Sequence, residues 1–176
     1  MVGFFAFFGV PAASRAVDHV PAPLALETVH SPDGAYAFDI ALAKRWRTEL
    51  ATGTLRTVAS GPSRTVWQRR LPQRVRPRFA LVANDGTVVL FDQFDNILGP
   101  IAVLLINPQG QDVALLGFDD IRRVRGAAPA DIAQQARHGV WIQRPPVLTG
   151  GHAQVDVAGR SVLIDLQSGQ PRLAPP

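Results

Sequence analysis

The 176-residue sequence predicts an all-β fold: an antiparallel hairpin meander built as a partial propeller or a β-sandwich, with one short helix near residues 130–138. Three observations predict it. Glycine and proline number 15 each and charged residues make up only 18%, against roughly 25% in ordinary domains, which favours turns over charged helical faces. Four glycine turns separate β-branched and apolar runs. The apolar fraction of 47% is enough to build a core in a chain of this length.

Residues 2–10 read V-G-F-F-A-F-F-G-V and are followed by P-A-A-S-R-A. A short apolar run ahead of small residues has the form of a secretory signal, and it is too short for a bilayer span, which needs about 20 residues. Residues 1–16 are therefore expected to be a cleaved signal peptide that places the protein in the periplasm or outside the cell, with no transmembrane span. Pro21 and Pro23 make 17–26 an extended linker, and 27–176 are expected to form a single all-β domain.

The first hairpin turn, Ser31-Pro-Asp-Gly34, precedes a strand at 35–40. Asn84-Asp-Gly86 joins strands at 79–83 and 87–92, and Asn107-Pro-Gln-Gly110 joins 101–106 to 112–118. Ala158-Gly159 joins 152–157 to 161–166. Each turn glycine supplies the positive φ that a tight reversal requires. Residues 54–59 and 64–68 add two strands joined through Ser60-Gly-Pro62, and 101–106, apolar at every position, suits a central strand covered on both faces. The helix over 130–138 is read from Pro129 at its first position, Asp131 in its first turn and Gly139 as its stop. The spacing from Gly34 to Gly86 and from Gly110 to Gly159 suggests a period near 50 residues, in the range of propeller blades.

The turn Ser31-Pro-Asp-Gly34 with the following A-Y-A-F, and the stretch N-D-G-T-V-V-L-F-D at 84–92, resemble the hairpins of exported bacterial β-propeller repeat proteins. That resemblance rests on turn-strand motifs and implies a binding or scaffolding role. The domain is long enough for about three blades, short of the four that close a propeller, so the alternatives are a partial propeller or a sandwich built with the same turns. An open sheet edge would leave unpaired backbone groups for another strand, which makes an oligomer an expectation for the partial propeller.

Chemistry is constrained mainly by what is missing. The absence of cysteine removes disulfides, thiolate metal sites and cysteine nucleophiles. His19, His30, His138 and His152 form no H-x-H or H-E-x-x-H pattern, no G-x-S-x-G elbow occurs, and neither glycine-rich phosphate loop is present, so no cofactor is expected. Asp92, Asp95 and Asn96, with Asp119 and Asp120, are the candidate oxygen ligands for Ca²⁺. Their spacing lacks the D-x-[DN]-x-[DN]-G pattern, and the competing reading has Asp92 and Asn96 capping a tight connection. Net charge is +4 and Lys44 is the only lysine. Arg64, Arg69, Arg70, Arg74, Arg76 and Arg78 crowd a stretch broken by Pro72 and Pro77, with Trp67 and Phe79 alongside, and the stretch is read as a loop. Trp67, Arg69, Arg70, Arg74 and Arg76 are the candidate partner-binding residues. The leading expectation is an exported, non-enzymatic protein-interaction or scaffolding module of the cell envelope. Its rivals are a carboxylate-site enzyme or calcium-dependent sensor at Asp92, Asp95, Asp119 and Asp120, and an anionic-polymer binder at 64–78, with nucleic acid disfavoured by export.

Overall fold

The structure, a computed structural model, describes residues 24–42, 50–58, 61–73, 75–92, 100–126, 128 and 141–175. Three antiparallel four-stranded meanders account for nearly all of its regular structure. The first sheet contains β1 (Leu26–His30), β2 (Tyr36–Ala41), β3 (Thr52–Thr57) and β4 (Arg64–Arg70). The second contains β5 (Phe79–Val82), β6 (Val88–Phe91), β7 (Val103–Ile106) and β8 (Asp112–Leu116). A helix, α1 (Phe118–Arg125), leads to the third: β9 (Val147–Thr149), β10 (His152–Val157), β11 (Arg160–Asp165) and β12 (Pro171–Leu173). In every sheet consecutive strands are neighbours. The fold is all-β and partial-propeller-like.

Strand alternation explains the stacking order. Successive side chains on a strand point to opposite faces, so a strand that is apolar at every position needs a cover on both. Val88, Leu90, Leu104 and Ile106 pack against Phe38, Ile40, Leu55 and Trp67 of the first sheet. Their alternates Val89, Phe91, Val103 and Leu105 pack against Ala153, Val155, Val162 and Ile164 of the third. The second sheet is therefore the middle layer of the stack.

The outward faces of the flanking sheets are polar. On the first sheet Arg56 grips Asp39 through Nε–Oδ2 (2.6 Å) and Nη2–Oδ1 (3.0 Å), while the Thr28 hydroxyl donates to the same carboxylate (2.7 Å). On the third, Gln154 donates to the Ser161 hydroxyl (2.9 Å), which donates to Asp156 (2.6 Å). The hydrogen bonds from Arg56, and then from Thr28, hold the Asp39 carboxyl below the usual carboxylate range against the opposing effect of burial. A carboxyl depressed in the folded state stabilises above its unfolded value, about 3.9, and that contribution is lost as pH falls through the folded value. Arg56→Met is accordingly expected to lower the unfolding free energy by about 1 kcal/mol at neutral pH, and the difference should close in strong acid. Urea midpoints of both proteins at neutral pH and near pH 2.5 check this; a difference that persists in acid contradicts it.

Several sequence expectations need correction. The described helix lies at 118–125, and the helix expected at 130–138 falls outside the described residues. Asp120 nucleates α1 by accepting the Gly117 N–H (2.8 Å), and Gly126, at φ 67°, ends it by donating to Arg122 O (3.0 Å). The strand expected at 64–68 is β4, which runs two residues further, to Arg70, into the stretch read as a loop, and β1 starts at Leu26, within the stretch read as linker. Strands β9 and β12 were not anticipated. Among the described residues no helix is long and apolar enough to cross a membrane.

Candidate functional site

The turn between the first two strands of each sheet arrives at one pocket. Pro32 comes from the β1–β2 turn, Asn84 and Asp85 from β5–β6, and Gly150 and Gly151 from β9–β10; Asp165, Leu166 and Gln167 of the β11–β12 turn complete the wall. Its volume is about 520 Å³, within the range of ligand pockets.

Each turn is fixed by its own side chain. Asp33 accepts the Ser31 hydroxyl (2.6 Å) and the Ala35 N–H (2.9 Å), and both bonds lower its carboxyl from the ordinary value. Asp85 accepts the Thr87 N–H (2.9 Å). Asn84 accepts the Asp33 N–H (3.1 Å), which locks the first-sheet turn to the second-sheet turn. Asp165 Oδ1 accepts from the Ser168 N–H (2.8 Å), the Ser168 hydroxyl (2.8 Å) and the Gln167 N–H (3.1 Å). The two Ser168 bonds lead the effects that hold this carboxyl below its ordinary value, so it is anionic throughout the neutral range. His152 donates from Nδ1 to Gly150 O (2.8 Å), since a carbonyl can only accept. In the neutral ring Nε2 then accepts from Arg172 Nη2 (3.2 Å), and Asp165 Oδ2 lies 3.8 Å from the same nitrogen.

The arginine-rich stretch is largely engaged within the fold. Trp67 is 9% exposed and packs on Phe38 with ring centroids 5.5 Å apart, as a core residue. Arg69 ties β4 to the second sheet through Asp112 (2.6 and 3.2 Å) and Gly110 O (3.0 Å). Arg76 is buried and ion-paired with Glu27, and Arg78 lies over the Phe79 ring at 5.1 Å. Burial lowers both of these guanidinium pKa values from the ordinary one. Arg64 and Arg70 remain exposed on β4, where charge on an edge strand discourages further strand pairing. Arg74 lies outside the described residues.

Of the acids read as oxygen ligands, Asp92, Asp119 and Asp120 do not line the pocket. Asp92 is buried at φ 52°, with its N–H donating to Ala102 O (2.8 Å). Asp119 and Asp120 sit in the first turn of α1, paired with Arg122 (3.0 Å) and Arg123 (3.2 Å), and not in a loop. Asp95 and Asn96 lie outside the described residues. Among the described residues no group of three His, Cys, Asp or Glu side chains could hold a metal ion. Sequence reading missed the pocket, and its one pointer was that Asn84-Asp-Gly86 and Ser31-Pro-Asp-Gly34 are turns rich in side-chain acceptors.

No protein-family model matches the chain, and no curated protein does. Among solved structures the chain is similar to a europium-containing methanol dehydrogenase, with a TM-score of 0.43 and 14% sequence identity over 80% of this chain. It spans only 23% of that chain.

Proposed function

We propose that this protein is an exported, non-enzymatic interaction module of the cell envelope that engages another protein through the turn-lined end of its three-sheet stack. The observation that carries the reading is the convergence there of the first turn of every sheet. Loops held by a rigid scaffold are where binding surfaces are commonly built, and these loops are cross-braced by Asn84 and capped by Asp33, Asp85 and Asp165. A preorganised rim loses little entropy when it is covered. The carboxylates of the rival enzyme reading that are described are instead committed to a helix start and a buried strand end, which favours binding over general acid/base work.

The test is photo-crosslinking in the native cell, with a benzophenone amino acid placed at Gln167 on the pocket rim or at Arg64 on the β4 edge, followed by cell fractionation. A discrete heterologous adduct from position 167 in the envelope or external fraction is expected. An adduct from position 64 alone would move the interface to the arginine edge, and a protein confined to the cytoplasmic fraction would end the export reading.

A further inference from the structure

On that reading of the pocket, we propose that its occupant is a cationic side chain on an aliphatic stem, a lysine or arginine projecting from the partner. The hydrogen-bonding inventory of the walls points there. The N–H groups of Asp33, Thr87, Leu166 and Gln167, and the Nδ1–H of His152, already have acceptors within the turns. The carboxylates do not use both of their oxygens in this way. Asp85 commits only Oδ1, to Thr87, and Asp165 commits Oδ1 to its own turn, leaving Oδ2 with nothing closer than the His152 ring at 3.8 Å. Arg172, beside the His152 ring, is engaged at Nε2. The Asn84 and Gln167 amides and the Thr149 hydroxyl also line the pocket and can donate, but the two fixed charges that a ligand meets there are negative, and that selects a cation.

The rest of the lining selects the stem. Pro32, Ala83, Leu148 and Leu166 present hydrocarbon beside the two aspartates. A lysine or arginine side chain has this amphipathic form, burying methylenes along apolar surface while its head reaches an acceptor. The volume, about 520 Å³, admits one such side chain with room for water at its head. The protein as a whole carries a net charge of +4, so long-range attraction does not draw a cation to it and selection has to be local. This separates the pocket from the basic β4 edge, which favours the opposite charge.

The experiment is an NMR titration of the full-length protein, followed on the His152 ring signals, with Nα-acetyl-lysine methylamide and Nα-acetyl-arginine methylamide as probes and Nα-acetyl-norleucine methylamide as the uncharged control. Saturable shifts with midpoints of about 1–10 mM are expected from the cationic probes and none from norleucine. Asp85→Asn and Asp165→Asn should each weaken binding about tenfold. Both variants keep an Oδ1 acceptor for the turn, so the fold persists in both; the melting temperature is expected to hold for Asp85→Asn and to fall slightly for Asp165→Asn, which loses the charge that strengthens its Ser168 bonds. Equal shifts from norleucine would mean an apolar slot and overturn the proposal, as would the absence of saturation from both cationic probes. Free putrescine binding at least tenfold tighter than either capped residue would also overturn it, because the occupant would then be a soluble amine. If crosslinking from Gln167 still captures a protein while the cationic probes leave His152 unmoved, the interaction reading stands and this one falls.

Discussion

Trp141→Ala is expected to lower the unfolding free energy by about 4 kcal/mol, which would be a third or more of the stability of an ordinary domain. Trp141 is 1% exposed and belongs to the cluster that joins the second and third sheets, with the Phe118 ring of α1 set edge-on at 6.4 Å and 70°. Deleting the indole removes the largest fully buried side chain of that cluster and leaves a space bounded by two sheets and a helix, none of which can collapse without breaking its own hydrogen bonds. The helix depends on the same contact. It buries only Ile121 fully, and its arginine and aspartate pairs are surface pairs worth little. Loss of Trp141 should therefore raise amide exchange in α1 more than in β6 or β7. Guanidinium unfolding at constant slope, read beside exchange rates, checks both statements. A loss below about 1 kcal/mol would mean that the helix and sheets close over the gap.

The four glycine turns are legible in the sequence because a positive φ is a local demand: Gly34, Gly86, Gly110 and Gly159 stand at 72°, 89°, 81° and 77°. The buried middle strand at Val103–Ile106 is legible for a similar reason, since covering on both faces requires apolar residues at every position. The repeat register is only half legible. Gly34 and Gly86 do occupy equivalent first turns, but Gly110 closes the third hairpin of its sheet and Gly159 the second of the next. The true counterpart of Gly86 is the Gly150–Gly151 pair, displaced by the segment that carries α1. Partner identity was not legible at all. Arg69 finds Asp112 on the second sheet, and Arg76, in the connection between β4 and β5, finds Glu27 on β1, so which acid each arginine meets is set by the folded chain and not by composition. The pocket fails for the same reason, because Pro32, Asp85 and Asp165 become neighbours only once all three sheets are stacked.

Gly110→Ala is expected to destabilise by about 3 kcal/mol, well beyond the cost of a left-handed turn residue. The backbone there stands at φ 81°, which alone penalises an L side chain by about 1–2 kcal/mol. The added methyl would also sit 2.9 Å from Cγ and 3.2 Å from Cβ of Trp67, atoms close to the β4 backbone that cannot swing aside. Arg69 holds the same turn from β4 through the Gly110 carbonyl and Asp112, so neither layer is free to retreat. Gly34→Ala supplies the control: its φ is 72°, and nothing lies within 4 Å of the new methyl, so only the conformational penalty of about 1 kcal/mol applies. The difference between the two variants then isolates the contact between the first and second sheets. Equal losses at Gly34 and Gly110, measured as denaturation midpoints, would place Trp67 away from that turn and undo the packing that sets the first sheet against the second.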